Sequence, residues 1–81
     1  MDASAQAPEI RKAVGEIIRR RRRDRDLTQR QLGEMVGVSG AQILTFEKGI
    51  RPIEVTRLVA IARVLDIKLG ELDQPLRERA A

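Results

Sequence analysis

The side chains of this 81-residue chain that are suited to chemistry are hydrogen-bonding and cationic groups. The sequence contains no His, Cys, Trp or Tyr, so the commonest general base, metal ligand and thiol nucleophile are missing. It also has no glycine-rich phosphate loop and no set of residues at metal-ligand spacing. We therefore expect no enzyme activity, no cofactor and no metal site.

Arginine dominates the charge of the chain. Lys and Arg total 16 against 12 Asp and Glu, a net charge of +4, and the densest run covers residues 19–23 with Arg25 following. Such a balance in a small domain favours nucleic acid or another polyanion as partner. Helical residues turn by about 100° each, so these arginines cannot all face one partner. Arg19 and Arg23 are candidate phosphate contacts, and a solubilising helix end is the alternative.

The composition also argues against several partners and locations for the protein. Phe46 is the only aromatic residue, which argues against a base-stacking surface for single strands. No apolar run approaches the ~20 residues that cross a bilayer. The first seven residues lack the basic and apolar pattern of a signal peptide. We expect a cytoplasmic protein with no membrane partner.

Two copies of one signal predict two closely spaced helix starts. Thr28 is followed three residues later by Gln31, and Ser39 by Gln42, which is the pattern of a capping box. Gly37 lies just before the second start, where a helix often ends in a left-handed residue. Two short helices joined by a tight turn with Gly form a helix-turn-helix.

Apolar residues at helical spacing predict three further helices. The first begins at Pro8 and ends between residues 23 and 25, and the fourth spans residues 54–65. A short fifth helix covers residues 69–72. The expected core face of the fourth helix consists of Val55, Leu58, Val59, Ile61, Ala62 and Leu65.

These elements predict one all-α domain over residues 8–74, with tails at residues 1–7 and 75–81. Leu69 and Leu72 are expected to close the domain. Leu76 has no obvious internal partner and is expected to contact a second copy of the chain.

From about residue 14 to residue 72, the chain resembles the lambda-repressor-like, Cro-type family, also called the xenobiotic-response-element (XRE) family of bacterial and phage regulators. The residues that match are Gln29, Leu32, Gly33, Gly37, Val38, Ser39, Ile43, Phe46, Glu47 and Gly49. The resemblance implies a compact five-helix DNA-binding domain and an ion pair between Arg22 and Glu47. It also implies that Gln29 contacts backbone phosphate.

The second helix of the motif would present its first turns to base edges in the major groove. Ile43 and Phe46 face the core, so the expected outward residues are Gly40, Ala41, Leu44 and Thr45. Gln42 can read adenine or serve only its capping box.

The scarcity of polar groups on this surface leaves two interpretations open. Specificity can come from DNA shape, with Leu44 touching a thymine methyl. Alternatively, the surface binds a protein partner through Leu44.

Phosphate contacts are expected from Gln29, Ser39, Lys48 and Arg51, with Arg51 also suited to a narrow minor groove. The sequence thus predicts a transcriptional regulator that binds double-stranded DNA as a homodimer, through a recognition helix at residues 39–47. An antitoxin of the same fold and an interaction module without operator binding are the alternatives.

Overall fold

The computed structural model describes the backbone of residues 3–73 and the side chains of residues 8–73. Within that range the chain is helical, with no strand. The helices are α1 (Ala3–Asp24), α2 (Gln29–Val36), α3 (Gly40–Glu47) and α4 (Val55–Leu65). Residues 69–73 are the described part of α5. Leu76 lies outside the described residues.

Helix α1 begins earlier than the sequence predicted. Its first residue is Ala3, and Pro8 lies inside it, so the expected start at Pro8 is wrong. Pro8 is the sixth residue of this helix, so it costs one hydrogen bond to the preceding turn, but it lies close enough to the start that few residues precede it. The alanines at positions 3, 5 and 7 have the highest helix propensity, which favours helix on the N-terminal side of Pro8. The expected end of α1, at residues 23–25, is confirmed by its last residue, Asp24.

Both predicted capping boxes are present. The Thr28 hydroxyl accepts the Gln31 N–H at 3.0 Å, and Gln31 Oε1 accepts the Thr28 N–H at 2.8 Å. The turn that follows α2 contains Gly37 with φ 79°, which is the predicted left-handed residue. These local interactions explain why α2 and α3 start and stop where they do.

The core lies where the four longer helices meet. Five side chains in it are fully buried: Ile18, Leu32, Ile43, Ile61 and Leu65. Phe46 is also buried, as predicted from its place in the motif. In so small a domain every one of these helices contributes to a single core.

The expected core faces of α4 and α5 are partly wrong. Val55 and Val59 are 75% and 45% exposed, and Leu69 is 82% exposed, so Leu69 does not close the domain. Leu72 does pack against the core. Periodicity identifies which residues share a helix face, but the width of the face that neighbours cover is set by tertiary packing.

Arginine side chains join the ends of the helices. Arg21 donates to the Asp66 carbonyl at 2.7 Å and pairs with Glu71, so α1 is tied to the turn between α4 and α5. The backbone N–H of Lys68 donates to Glu71, and together with Arg21 it holds the pKa of the Glu71 carboxyl below its ordinary value. Arg57 of α4 donates to the Val36 carbonyl at the end of α2. These contacts use arginines that the sequence did not single out for such roles.

Candidate nucleic-acid interface

An ion pair joins α1 to the end of α3. Arg22 Nε donates to Glu47 Oε2 at 2.6 Å, and Arg22 Nη2 donates to Glu47 Oε1 at 3.1 Å. The Arg22 side chain is 10% exposed and that of Glu47 only 2%. Arg22 Nη1 also donates to the Leu27 carbonyl at 2.7 Å. The pair that the family resemblance implied is therefore present, in the two-point geometry that arginine forms with carboxylates.

This pair controls the placement of α3 because neither charge can be removed alone at low cost. Losing one partner leaves a buried charge uncompensated, which typically costs about 3–5 kcal/mol. Every donor and acceptor in the described, buried side chains has a partner. The contact between α1 and α3 is thus held by a fully satisfied polar cluster.

Gln29 belongs to the same cluster. Its Nε2 donates to Glu47 Oε1 at 3.2 Å, which fixes the side chain at the first residue of α2. An amide nitrogen carries two hydrogens, so one remains to donate outward. The first backbone N–H groups of α2 lie at the same place and suit an anion. Gln29 is thereby held beside the groups that a phosphate would need.

In α3 the capping box accounts for most of the hydrogen-bonding groups of the first turn. Ser39 Oγ accepts the Gln42 N–H at 3.1 Å, and Gln42 Oε1 accepts the Ser39 N–H at 3.2 Å. Thr45 Oγ1 donates to the Gln42 carbonyl at 2.7 Å. Of the two expected uses of Gln42, capping is the one present in this structure. The amide nitrogen of Gln42 is its remaining donor.

The outward surface of α3 is smaller than expected. Gly40 is half-buried, and a Cβ on it would lie 3.1 Å from the Cα and N of Arg30, so a side chain at this position would point at the first turn of α2. Ala41 is exposed, Leu44 is 38% exposed, and Thr45 is half-buried. The exposed residues of α3 in its first and second turns are therefore Ala41, Gln42 and Leu44, which present a methyl group, an amide and a leucine side chain.

The cationic candidates fall into separate groups. Lys48 and Arg51 are exposed in the turn and loop that follow α3. Arg19 and Arg23 are exposed on α1, where they line a shallow surface depression with Arg20 and two acidic residues. Those acidic residues are Glu16 and Asp24. Neither Lys48 nor Arg51 borders this depression, so the structure does not bring all the predicted phosphate contacts together around it.

Two residues that the sequence analysis did not assign also position α3. Gly15 is buried in α1, and a Cβ there would overlap the carbonyl oxygens of Phe46 and Glu47. Arg11 Nε donates to the Gly49 carbonyl at 3.3 Å, just past α3. A glycine inside a helical pattern signals a close approach, and that signal was available for Gly15. Nothing in the sequence pattern indicated the contact of Arg11.

Residues 8–73 contain no group of three or more acidic side chains that could hold a metal ion. No helix in the described range combines the length and apolar character needed to cross a bilayer.

The helix-turn-helix family model matches residues 18–72, from the second half of α1 into α5. Two Sinorhizobium fredii proteins, named as uncharacterized HTH-type transcriptional regulators, are 36% and 39% identical over 55 and 54 residues. The matches cover 68% and 67% of the chain and 38% of each relative. A Sinorhizobium medicae protein with the same description is 37% identical over 57 residues, 70% of the chain and 41% of the relative. The chain thus spans less than half of these relatives, and no solved structure matches it significantly.

Proposed function

The chain belongs to the helix-turn-helix family of XRE type, and from that premise we propose that it binds double-stranded DNA and regulates transcription. In this proposal α3 enters the major groove and its first turns face base edges. Gln29 and Ser39 contact phosphates at the starts of α2 and α3. Lys48 and Arg51 contact the backbone beyond the end of α3.

The observation that carries the proposal is the cluster of Arg22, Glu47 and Gln29. It fixes α3 against α1 and holds the Gln29 amide at the start of α2. Helix α3 and the proposed phosphate contact of Gln29 are both fixed by the Glu47 carboxylate, so their relative position is constant. Preorganisation of this kind reduces the ordering cost of binding.

We further propose that the protein binds DNA as a homodimer and that its DNA site is pseudo-palindromic. We also propose that the protein is cytoplasmic. A single module contacts few base pairs, and a twofold arrangement doubles the surface that reads the site.

The proposal is tested by gel shift with genomic fragments at two salt concentrations. Binding through phosphates must weaken steeply as salt rises, because each contact releases counterions. The informative variant is Ala41→Asp. An acidic residue in the first turn of α3 suits the helix dipole, so the fold is retained while the groove surface becomes repulsive to DNA. Met35→Asp, which adds the same charge at an exposed position of α2, is the matched control.

We expect Ala41→Asp to lose DNA binding while keeping the melting temperature of the wild type, and Met35→Asp to retain DNA binding even though its charge in the last turn of α2 opposes the helix dipole. Wild-type protein that shifts no fragment, or an Ala41→Asp variant that binds as wild type does, would contradict the proposal. In the first case the exposed Leu44 makes a protein partner on α3 the better interpretation, since an apolar side chain there suits a protein surface.

A further inference from the structure

A cavity of about 190 Å³ lies between α1 and the chain segment that follows α3. Its apolar lining consists of Ile10, Val14, Pro52, Ile53 and Leu58. Three of these side chains, Val14, Ile53 and Leu58, also pack against the hydrophobic core. The apolar surface of the cavity is therefore held by the core of the domain and is formed before any ligand binds.

The same cavity is lined by two arginines and by no acidic residue. Arg11 Nε donates to the Gly49 carbonyl, which holds that guanidinium beside the cavity. Among the described residues, its two terminal nitrogens and the whole side chain of Arg51 have no hydrogen-bond or ion-pair partner. The depression on α1 differs, because Glu16 and Asp24 accompany its arginines. Two cations beside an apolar surface, with no carboxylate to neutralise them, are complementary to an anion that has an apolar body.

Close packing of α1 on the turn after α3 brings these two arginines to one cavity. A Cβ on Gly49 would lie 2.6 Å from the backbone nitrogen of Lys12, so the turn and α1 are in direct contact. Gly49 also has φ 70°, a conformation that glycine adopts without strain. The position of Arg51 relative to Arg11 is thus set by contact between two stretches of backbone.

The volume of the cavity limits its ligand to a small molecule. Drug-sized ligands occupy pockets of roughly 300–1,000 Å³, whereas an apolar cavity of ~150 Å³ accepts one benzene molecule. A single ring that carries a carboxylate therefore fits the available space. A guanidinium binds a carboxylate through two parallel hydrogen bonds, and its plane also stacks on an aromatic face.

We propose that this cavity binds a monocyclic aromatic carboxylate, with the ring on the apolar lining and the carboxylate between Arg11 and Arg51, and that the bound ligand weakens DNA binding. The second part rests on the proposed function, in which Arg51 contacts the DNA backbone. A ligand carboxylate neutralises the charge of Arg51 and occupies its hydrogen-bonding edge, so the same side chain no longer attracts a phosphate. Ligand and DNA therefore compete for Arg51, and each lowers the affinity for the other by the same factor.

Nitrogen-15 NMR of the whole chain, titrated with sodium benzoate at constant ionic strength, measures ligand binding without DNA. We expect saturable shifts at Val14, Ile53 and Leu58, with a dissociation constant on the order of 1 mM for so small a ligand. Benzamide has the same ring and no charge, whereas acetate has the same charge and no ring. Each of these two probes should bind at least about tenfold more weakly than benzoate.

Two substitutions test the cationic side of the cavity. Arg11→Gln and Arg51→Gln should each raise the dissociation constant for benzoate at least about fivefold, because each removes one charged partner of the carboxylate. Arg20→Gln is the matched control, since it removes an exposed arginine of α1 that borders the other depression, and it should bind benzoate as the wild type does. Thermal melting separates loss of binding from loss of fold. Arg51 is exposed, so its variant keeps the test valid if the loss of the Arg11 hydrogen bond unfolds the other.

Fluorescence anisotropy with and without saturating benzoate, at equal ionic strength, tests the competition with DNA. Benzoate should lower the affinity of the wild type for DNA several-fold. It should also reduce the slope of log K against log salt by about one, the value for one lost phosphate contact. Arg51→Gln should already have the reduced slope and show no further effect of benzoate.

A benzoate titration without saturable shifts overturns the inference. So does equal affinity for benzamide or acetate, or an Arg51→Gln variant that binds benzoate normally. Benzoate that binds and leaves the DNA affinity unchanged overturns the competition at Arg51. A protein that binds benzoate as expected and binds no DNA supports the ligand site and removes the proposed function alone, so the two proposals fail in separate measurements.

Discussion

Gly15 of α1 lies directly against the main chain of Glu47, the last residue of α3. A methyl group on Gly15 would overlap the Glu47 carbonyl oxygen. The side chain of the same glutamate pairs with Arg22, two turns further along α1. Helix α1 therefore holds the end of α3 at two points, one set by backbone contact and one by charge.

The backbone contact predicts the effect of Gly15→Ala. Overpacking at a rigid backbone contact should lower the free energy of unfolding by about 1–3 kcal/mol, despite the better helix propensity of alanine. Gly70 is the matched control, because a Cβ there meets nothing within 4 Å. Gly70→Ala should leave stability unchanged or raise it by up to ~1 kcal/mol. Urea unfolding of both variants checks this, and equal stabilities would show that α1 and α3 are not in close contact.

The charge contact predicts strong coupling between Arg22 and Glu47. Reversing either charge should destabilise the fold by about 3–5 kcal/mol, since it leaves like charges in a buried site. The double reversal should recover part of that loss. Arg30 and Glu34 form an exposed pair at 3.4 Å and serve as the control, with an expected coupling below about 0.5 kcal/mol. If the losses at positions 22 and 47 were strictly additive, the two side chains would not be energetically coupled.

The contacts of Glu71 predict a pH dependence at the α4–α5 turn. The Lys68 N–H, followed by Arg21, lowers the pKa of this carboxyl below its ordinary value of 4.5. A lowered folded-state pKa adds stability that is fully present above the unfolded pKa and is lost as pH falls through the folded pKa. Carbon-13 NMR titration should place the Glu71 midpoint below 4.5. A midpoint at or above that value would mean that the turn does not hold the carboxylate.

The assignment of Arg51 to the DNA backbone predicts a loss that does not depend on sequence. Arg51→Ala should weaken binding to all fragments alike and reduce the slope of log K against log salt by about one. Lys68→Ala, which removes an exposed cation given no DNA role, is the control and should keep the full slope. Fluorescence anisotropy over a salt series measures both slopes. An unchanged slope for Arg51→Ala would exclude a phosphate contact by this side chain.

The proposed contact of Leu44 in the major groove predicts a change in site preference and not in salt slope. Leu44→Ala should keep the salt slope and lower the preference for the cognate site by about 0.8 kcal/mol, or roughly fourfold, for each lost methyl contact. Replacing one thymine per half-site with uracil deletes only that methyl and should have the same effect on the wild type. Met35→Ala is the control for loss of an exposed apolar side chain. If Leu44→Ala leaves affinity and preference intact, a protein partner on α3 is favoured.

The sequence predicts the local features of this fold well. The boxes at Thr28 and Ser39 join residues three apart, so they can be inferred from spacing alone. Arg22 and Glu47 are 25 residues apart, and only the family resemblance implied their pairing. The contact between Gly15 and α3 depends on how closely two helices approach, which periodicity does not report.

The residues whose exposure the sequence predicted wrongly share one physical reason. Val55 and Leu69 fall on apolar helical patterns, but no described neighbour covers them. Gly40 was expected outside, yet α2 begins beside it. A pattern of apolar residues fixes direction around a helix, whereas exposure depends on the elements that arrive from elsewhere in the chain.

The capping box of α3 has a consequence for how this protein can diverge. Ser39 and Gln42 start the helix, and Ile43 and Phe46 anchor it in the core, so substitutions at those four positions cost stability. Ala41 and Leu44 carry no comparable duty. After gene duplication, a copy can change its binding preference at these two positions without first gaining stability to offset the change. For the same reason, varying only positions 41 and 44 would give a small library in which to search for variants of altered specificity.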